Sequence, residues 1–118
     1  MPERLHYLFV CYANVDRSPT AEAVCRSIAA ENSLDIEVSS AGTSDGATRP
    51  VTKKMADLAD KIFVMEPYMV SEMVEGYGQN PAKVVCLDVL DIYKRNDPGL
   101  VAMLEEKIYR HLVQEGLI

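Results

Sequence analysis

A chain of 118 residues, 48% hydrophobic and 25% charged, has apolar side chain enough for one core and not for two, so residues 1–118 are read as a single domain. A formal net charge of −6 excludes a general nucleic-acid binder, which presents a basic face, but permits an anionic ligand in a locally positive cradle. Cys11, Cys25 and Cys86 are too few and too widely spaced for a disulfide framework or a zinc site, and no signal peptide or membrane-spanning apolar run is evident. A cytoplasmic protein is therefore expected, without metal, cofactor, nucleic acid or membrane, in a compartment that keeps thiols reduced.

Leu5 to Val10 is a near-continuous apolar run, as in a parallel strand covered on both faces. His6 and Tyr7 should pack or pair at its start. Pro19 to Glu31 reads as a helix, with Ser18 suited to the N-cap and Pro19 to the first helical position. Ala21, Val24, Cys25 and Ile28 recur at helical spacing, which makes Cys25 a core residue. Ile36 to Ser40 alternates as a short strand, and Ala41 to Thr48 is a loop of small residues. Val51 to Leu58 reads as a helix, Lys61 to Met65 as a third strand, and Tyr68 to Tyr77 as a helix with Met69, Met73 and Val74 on one face. Gly76 and Gly78 form no nucleotide fingerprint, because no helix with a third glycine follows. Lys83 to Leu87 is the fourth strand, and 88–97 is a polar loop rich in acids. Pro98 to Gln114 is the last helix, striped by Leu100, Leu104, Ile108 and Leu112. Asp97 suits its N-cap, while Lys107, Arg110 and His111 fall where cations favour the helix dipole.

Strand and helix alternate four times. That pattern predicts an α/β fold, three layers α/β/α around a four-stranded parallel sheet with right-handed crossovers. Ligands of such sheets bind beyond the carboxyl ends of the strands. The segments after Val10, Ser40 and Leu87 should therefore meet at one edge.

The segment at the first strand end carries the chemistry. Cys11 leaves the strand, Arg17 follows six residues later, and a helix begins behind it. Five intervening residues suffice to curl the main chain so that its N–H groups face one oxyanion, backed by the helix dipole. An arginine holds two oxyanion oxygens with a planar fork, which lysine cannot do. The same positive field favours a thiolate, and a thiolate facing a bound phosphate is a nucleophile in attack position. A nearby acid must protonate the departing oxygen, and the last loop offers Asp88, Asp91 and Asp97.

Val10-Cys11-x-x-Asn14-x-x-Arg17-Ser18-Pro19-Thr20-Ala21-Glu22-Ala23 resembles the N-terminal signature of low-molecular-weight protein-tyrosine phosphatases and their arsenate reductase relatives, and most closely a short bacterial branch of predicted phosphatases. The likeness continues through Ser39–Thr43, Arg49–Thr52, Ala59–Met65 and Val85–Asp88. It implies a low-molecular-weight phosphatase-like fold and a phosphocysteine intermediate on Cys11. The substrate would be a phosphorylated protein or small aryl phosphate, and inorganic phosphate the product. The resemblance implies that Arg17 and the loop of Tyr12, Ala13, Asn14, Val15, Asp16 and Ser18 bind phosphate, and that Ser40 supports the loop. Matching Asp91-Ile92-Tyr93 to the family's Asp-Pro-Tyr segment makes Asp91 the acid, with Asp88 the alternative, and puts Tyr93 beside the substrate ring.

Ala13 replaces a glycine of better-known members, leaving Asn14 to tolerate a left-handed turn. Asp16 replaces a second cysteine and either opposes the anion, points outward or pairs with Arg17. Two other readings stand beside the phosphatase: an arsenate reductase-like enzyme, for which Cys25 and Cys86 are poorly placed, and a non-catalytic phosphate or phosphopeptide-binding module.

Overall fold

The computed structural model describes residues 4–118. Four parallel strands, β1 (Leu5–Cys11), β2 (Ile36–Gly42), β3 (Lys61–Val64) and β4 (Val84–Cys86), form one sheet in the order β2-β1-β3-β4. In register, Phe9 of β1 faces Ser40 of β2 and Phe63 of β3. Four α-helices connect and follow the strands: α1 (Arg17–Glu31), α2 (Lys53–Leu58), α3 (Tyr68–Ser71) and α4 (Pro98–Gln114). The fold is the α/β architecture expected from the alternation of elements.

The strand order explains the layers. From β1 the chain crosses one way to β2, then reverses to reach β3 and β4. Right-handed crossovers put α1 on one face and α2 and α3 on the other. The last helix, α4, packs beside α1. Between β1 and β3 the connections diverge, which opens a crevice beyond their carboxyl ends. Cys11 ends β1 at that crevice, and Glu66 and Tyr68 follow β3 on its other side.

The core is built across the sheet. Phe9 stacks on Phe63 at 4.8 Å between ring centroids, and Tyr7 and His111 meet Phe63 edge-on. Met65, Met69 and Met73 are fully buried beyond β3, as the apolar spacing predicts, and the stripe Leu100, Leu104, Ile108 and Leu112 buries the inner face of α4. Cys25 is wholly buried on α1. Among the described residues no helix is long and apolar enough to cross a membrane.

Several boundaries differ from the sequence reading. The first helix starts at Arg17, so Ser18 lies in its first turn and is not the N-cap. Asp16 takes the N-cap position without a side-chain cap bond. Strand β2 runs on to Gly42 because Ala41 and Gly42 continue the pairing with Val10 and Cys11 of β1, and Gly42 also bonds the next segment, Val51 N–H donating to Gly42 O at 2.8 Å. That use of Val51 delays α2 to Lys53, where the Thr52 hydroxyl accepts from Met55 N–H. The third helix keeps α-geometry only to Ser71 and widens into a π-turn over Glu72–Gly76. A 3₁₀ turn at Pro81–Lys83, capped by Asn80, shortens β4 to three residues. Asp97 does cap α4, accepting from Gly99 N–H at 2.8 Å. His111 is not a solvated cation at the helix end. Its ring is packed on Phe63, Nε2 makes no hydrogen bond among the described residues though Glu115 Oε1 lies 3.4 Å away, and burial pushes its pKa down against the pull of that carboxylate.

Candidate active site

The segment between β1 and α1 is shaped by its carbonyls. Those of Cys11, Tyr12 and Ala13 accept from the N–H groups of Thr43, Ser44 and Thr48 at 2.9, 2.9 and 3.1 Å. Three successive carbonyls are thus drawn toward the loop after β2, and the N–H groups between them are left on the other side. Among the described residues, the N–H groups of Ala13, Val15, Asp16, Arg17 and Ser18 donate to no protein atom. Asn14 N–H donates to the Cys11 sulfur at 3.1 Å. The turn is made by Asn14 at φ 54°, a conformation asparagine adopts more readily than most residues, so Ala13 needs no positive φ. The result is a turn whose N–H groups at Ala13 and residues 15–18 lack a protein acceptor among the described residues, next to the Cys11 sulfur and leading into α1, a backbone nest suited to an anion.

Gly42 allows the close approach. A Cβ there would lie 2.6 Å from Tyr12 O and 3.0 Å from the carbonyl carbon of Ala13. The support expected from Ser40 is therefore main-chain support from Gly42 onward. The Ser40 hydroxyl itself donates to Glu22 Oε1 at 2.6 Å and does not touch the nest.

Ser18 gains a different role from capping. Its hydroxyl lies 3.0 Å from Cys11 Sγ, accepts from Asn14 Nδ2 at 2.9 Å, and lies 3.3 Å from Ala41 O. One hydroxyl has one proton, so it can donate to the sulfur or to the carbonyl, not both. This gives a charged sulfur a donor and a neutral one an acceptor.

Arg17 is 2% exposed, and its charge is held from three sides. Nη1 donates to Val89 O at 2.9 Å and lies 3.0 Å from Glu66 Oε2. Nε lies 3.6 Å from Asp91 Oδ1, an ion-pair distance too long for a hydrogen bond. Nη2 makes no hydrogen bond to the protein among the described residues. The loop after β4 reaches Arg17 because Asp88 turns at φ 55° and Val89 N–H bonds Met65 O at 2.7 Å. Asp88 itself makes no ion pair among the described residues.

Asp16 points outward. Its Oδ1 accepts from Arg95 N–H at 2.8 Å, and Thr20 Oγ1 accepts from Asn96 N–H at 3.0 Å. These bonds tie the nest to the 88–97 loop, so Asp16 is a stitch between two loops and, among the described residues, makes no ion pair with Arg17. Tyr93 is half-buried against the core. The exposed aromatic rings near the nest are those of Tyr12 and Tyr68. Burial and the Glu66 carboxylate raise the pKa of the Tyr68 phenol, with Arg17 pulling it down. Sequence reasoning missed Glu66, Tyr68 and Gly42. The signal available for the first two was their position just beyond the carboxyl end of β3.

Residues 6–88 match the profile of the family described as low molecular weight phosphotyrosine protein phosphatase. The chain belongs to that family. It is a cysteine-based protein-tyrosine phosphatase. Among solved structures, this phosphatase is similar to a YwlE mutant from Bacillus subtilis at 25% identity and a TM-score of 0.79, covering 95% of this chain and 99% of that one. A second YwlE structure, that of the arginine phosphatase with a phosphorylated active-site serine, gives 24% identity and a TM-score of 0.78 over 93% of this chain and 95% of that one. The tyrosine phosphatase Wzb from Escherichia coli K30, in complex with phosphate, shares the fold at 18% identity and 0.78 over 95% and 99%. No curated protein sequence matches significantly. The family match ends at residue 88, so it covers the nest and stops short of Asp91.

Proposed function

We propose that Cys11 is the nucleophile, that Arg17 and the N–H groups of residues 12–18 bind the phosphoryl group, and that Asp91 is the general acid. The observation behind this reading is that the N–H groups of Ala13 and of residues 15–18 have no protein acceptor among the described residues, beside a Cys11 sulfur that takes Asn14 N–H. A phosphate monoester seats its dianionic oxygens against the loop N–H groups and on Arg17 Nη2, which has no protein acceptor among the described residues, with the Asp91 carboxyl group 3.6 Å from Nε beside it. Cys11 Sγ attacks phosphorus in line with the ester oxygen. The S–P bond forms as the P–O bond breaks, and Asp91 delivers the proton to the departing phenolate. The Asp91 carboxylate then takes a proton from water as that water attacks the phosphocysteine. Inorganic phosphate leaves, and the Ser18 proton turns toward the restored thiolate.

The positive charge needed at the transition state comes from Arg17 and oriented amides, so no added metal is required. Tyr12 and Tyr68 offer ring faces for an aryl ester. Neither Cys25, buried on α1, nor Cys86, within β4, touches the Cys11 sulfur, which disfavours thiol-relay arsenate reduction. The outward Asp16 removes the reason for reading the nest as a binder without turnover.

The test is hydrolysis of p-nitrophenyl phosphate and a phosphotyrosine peptide in EDTA, with Cys11→Ser beside wild type. Turnover in wild type and none in the variant is expected. Dependence on an added divalent ion would overturn the mechanism, and preference for a phosphoarginine peptide would overturn the aryl assignment.

A further inference from the structure

Five exposed large apolar side chains, Tyr12, Val15, Tyr68, Leu90 and Ile92, belong to the three segments that meet around the nest. Leu90 and Ile92 are 61% and 71% exposed. They flank Asp91, and Leu90 follows the Val89 carbonyl that takes Arg17 Nη1. Their loop is not a loose one. Val89 is bonded to Met65 on one side, while Arg95 and Asn96 are bonded to Asp16 and Thr20 on the other. A leucine and an isoleucine are thus displayed beside the active site on a backbone anchored at both ends. Exposed apolar surface rimmed by polar residues is a mark of an interaction site.

What covers these residues follows from the site. A protein substrate, unlike a small aryl phosphate, carries chain on either side of the phosphorylated residue, and Leu90 and Ile92 flank Asp91, whose Oδ1 lies 3.6 Å from Arg17 Nε. Two carboxylates, Asp88 and Asp91, stand next to Leu90 and Ile92 in the loop, with Lys94 and Arg95 further along it. Acidic flanking residues would meet like charge there.

We propose that Leu90 and Ile92 form a docking strip for the polypeptide of a protein substrate. The phosphatase then selects phosphotyrosine segments flanked by apolar residues over segments flanked by acidic ones. This rests on the proposed function, because the nest fixes the register in which the flanks lie.

The test measures kcat/KM on three phosphotyrosine peptides of equal length, flanked by Leu and Val, by Ser and Gly, or by Glu, with p-nitrophenyl phosphate alongside. Wild type should favour the apolar-flanked peptide over the Ser/Gly one by about tenfold, equivalent to about 1.4 kcal/mol, and disfavour the Glu-flanked peptide. In the double variant Leu90→Ser, Ile92→Ser the apolar preference should vanish, while p-nitrophenyl phosphate turnover stays within about twofold of wild type. Turnover without flank preference overturns the strip alone. So does a double variant that loses all substrates equally, since that reports a disrupted loop. A dimer seen by sedimentation that the double variant abolishes would assign the strip to a second copy and also overturn the proposal. Absence of any Cys11-dependent turnover would strike the proposed function first, and the strip with it.

Discussion

Gly42→Ala isolates the contact that shapes the nest without altering any side chain placed in the chemistry. The new methyl would lie 2.6 Å from Tyr12 O, 2.6 Å from Ala47 Cβ and 3.0 Å from the Ala13 carbonyl carbon. Two of these three neighbours are main chain of the nest, which cannot rotate aside. The first must retreat by about 0.4–0.8 Å to reach tolerable contact distances of 3.0–3.4 Å. Overpacking of this kind costs roughly 1–3 kcal/mol. At this chain length that lowers the thermal midpoint by about 5–15 °C, by interpolation between smaller and larger domains. Because the displaced peptides present the N–H donors, kcat/KM should fall by about 10- to 100-fold, as it does when reacting groups are misplaced by a fraction of an ångström to an ångström. Thermal unfolding and p-nitrophenyl phosphate kinetics on the same preparation decide the matter. A midpoint within 2 °C of wild type, together with kcat/KM within about twofold, would refute the claim that the loop after β2 holds the nest in shape.

Asp91→Asn should lower kcat on a phosphotyrosine peptide by about 10²–10⁴. The loss should be smaller on p-nitrophenyl phosphate, whose leaving group needs less protonation, and Asp88→Asn should change kcat by less than about threefold on either substrate. Equal losses in the two variants would reassign the acid. Burial pushes the Cys25 thiol up to about 12, so iodoacetamide at neutral pH should leave it unmodified in the native protein and label it only in urea, as mass spectrometry can read. Burial of His111 holds its pKa below the ordinary 6.5, so as pH falls below about 6.5 the unfolded chain takes up this proton before the folded one does. Stability should therefore decline from about pH 6.5 down toward the folded-state pKa and then level off. His111→Phe keeps the ring packing on Phe63 and should show a shallower decline in urea midpoint over that window. Identical pH profiles for the two proteins would refute this.

How much of this was legible in the sequence depends on whether a feature is local or tertiary. The apolar run into Cys11, the five residues between Cys11 and Arg17, and the helix behind Arg17 are local, and they point to an anion nest without any structure. The alternation of elements likewise leads to the parallel sheet, and the capping chemistry of Asp97 to the start of α4. Ser18 illustrates a half-legible residue. Its type suits a cap, but the helix starts one residue before it, and the hydroxyl serves the sulfur instead. Ser40 and Gly42 differ for the same reason: the motif that contains them is visible, yet which of its atoms touches the nest depends on how β2 lies against β1. Asp16 could not be read at all from its neighbours, because its partner is the main chain of Arg95, 79 residues away. Glu66 and Val89 reach Arg17 across similarly long separations. His111 was misread because a last-turn cation and a core-packed imidazole have the same spacing, and only the position of Phe63 separates them.

The most direct measurement of the central claim is the site of phosphorylation during turnover. Wild type mixed with a phosphotyrosine peptide in EDTA, quenched in acid within a single turnover and mapped by mass spectrometry, should show one phosphoryl group on Cys11, gone after full turnover. Burst-phase release of tyrosine peptide with phosphate trapped on any other residue, or product formed with no covalent intermediate while Cys11→Ala still turns over, would contradict the account.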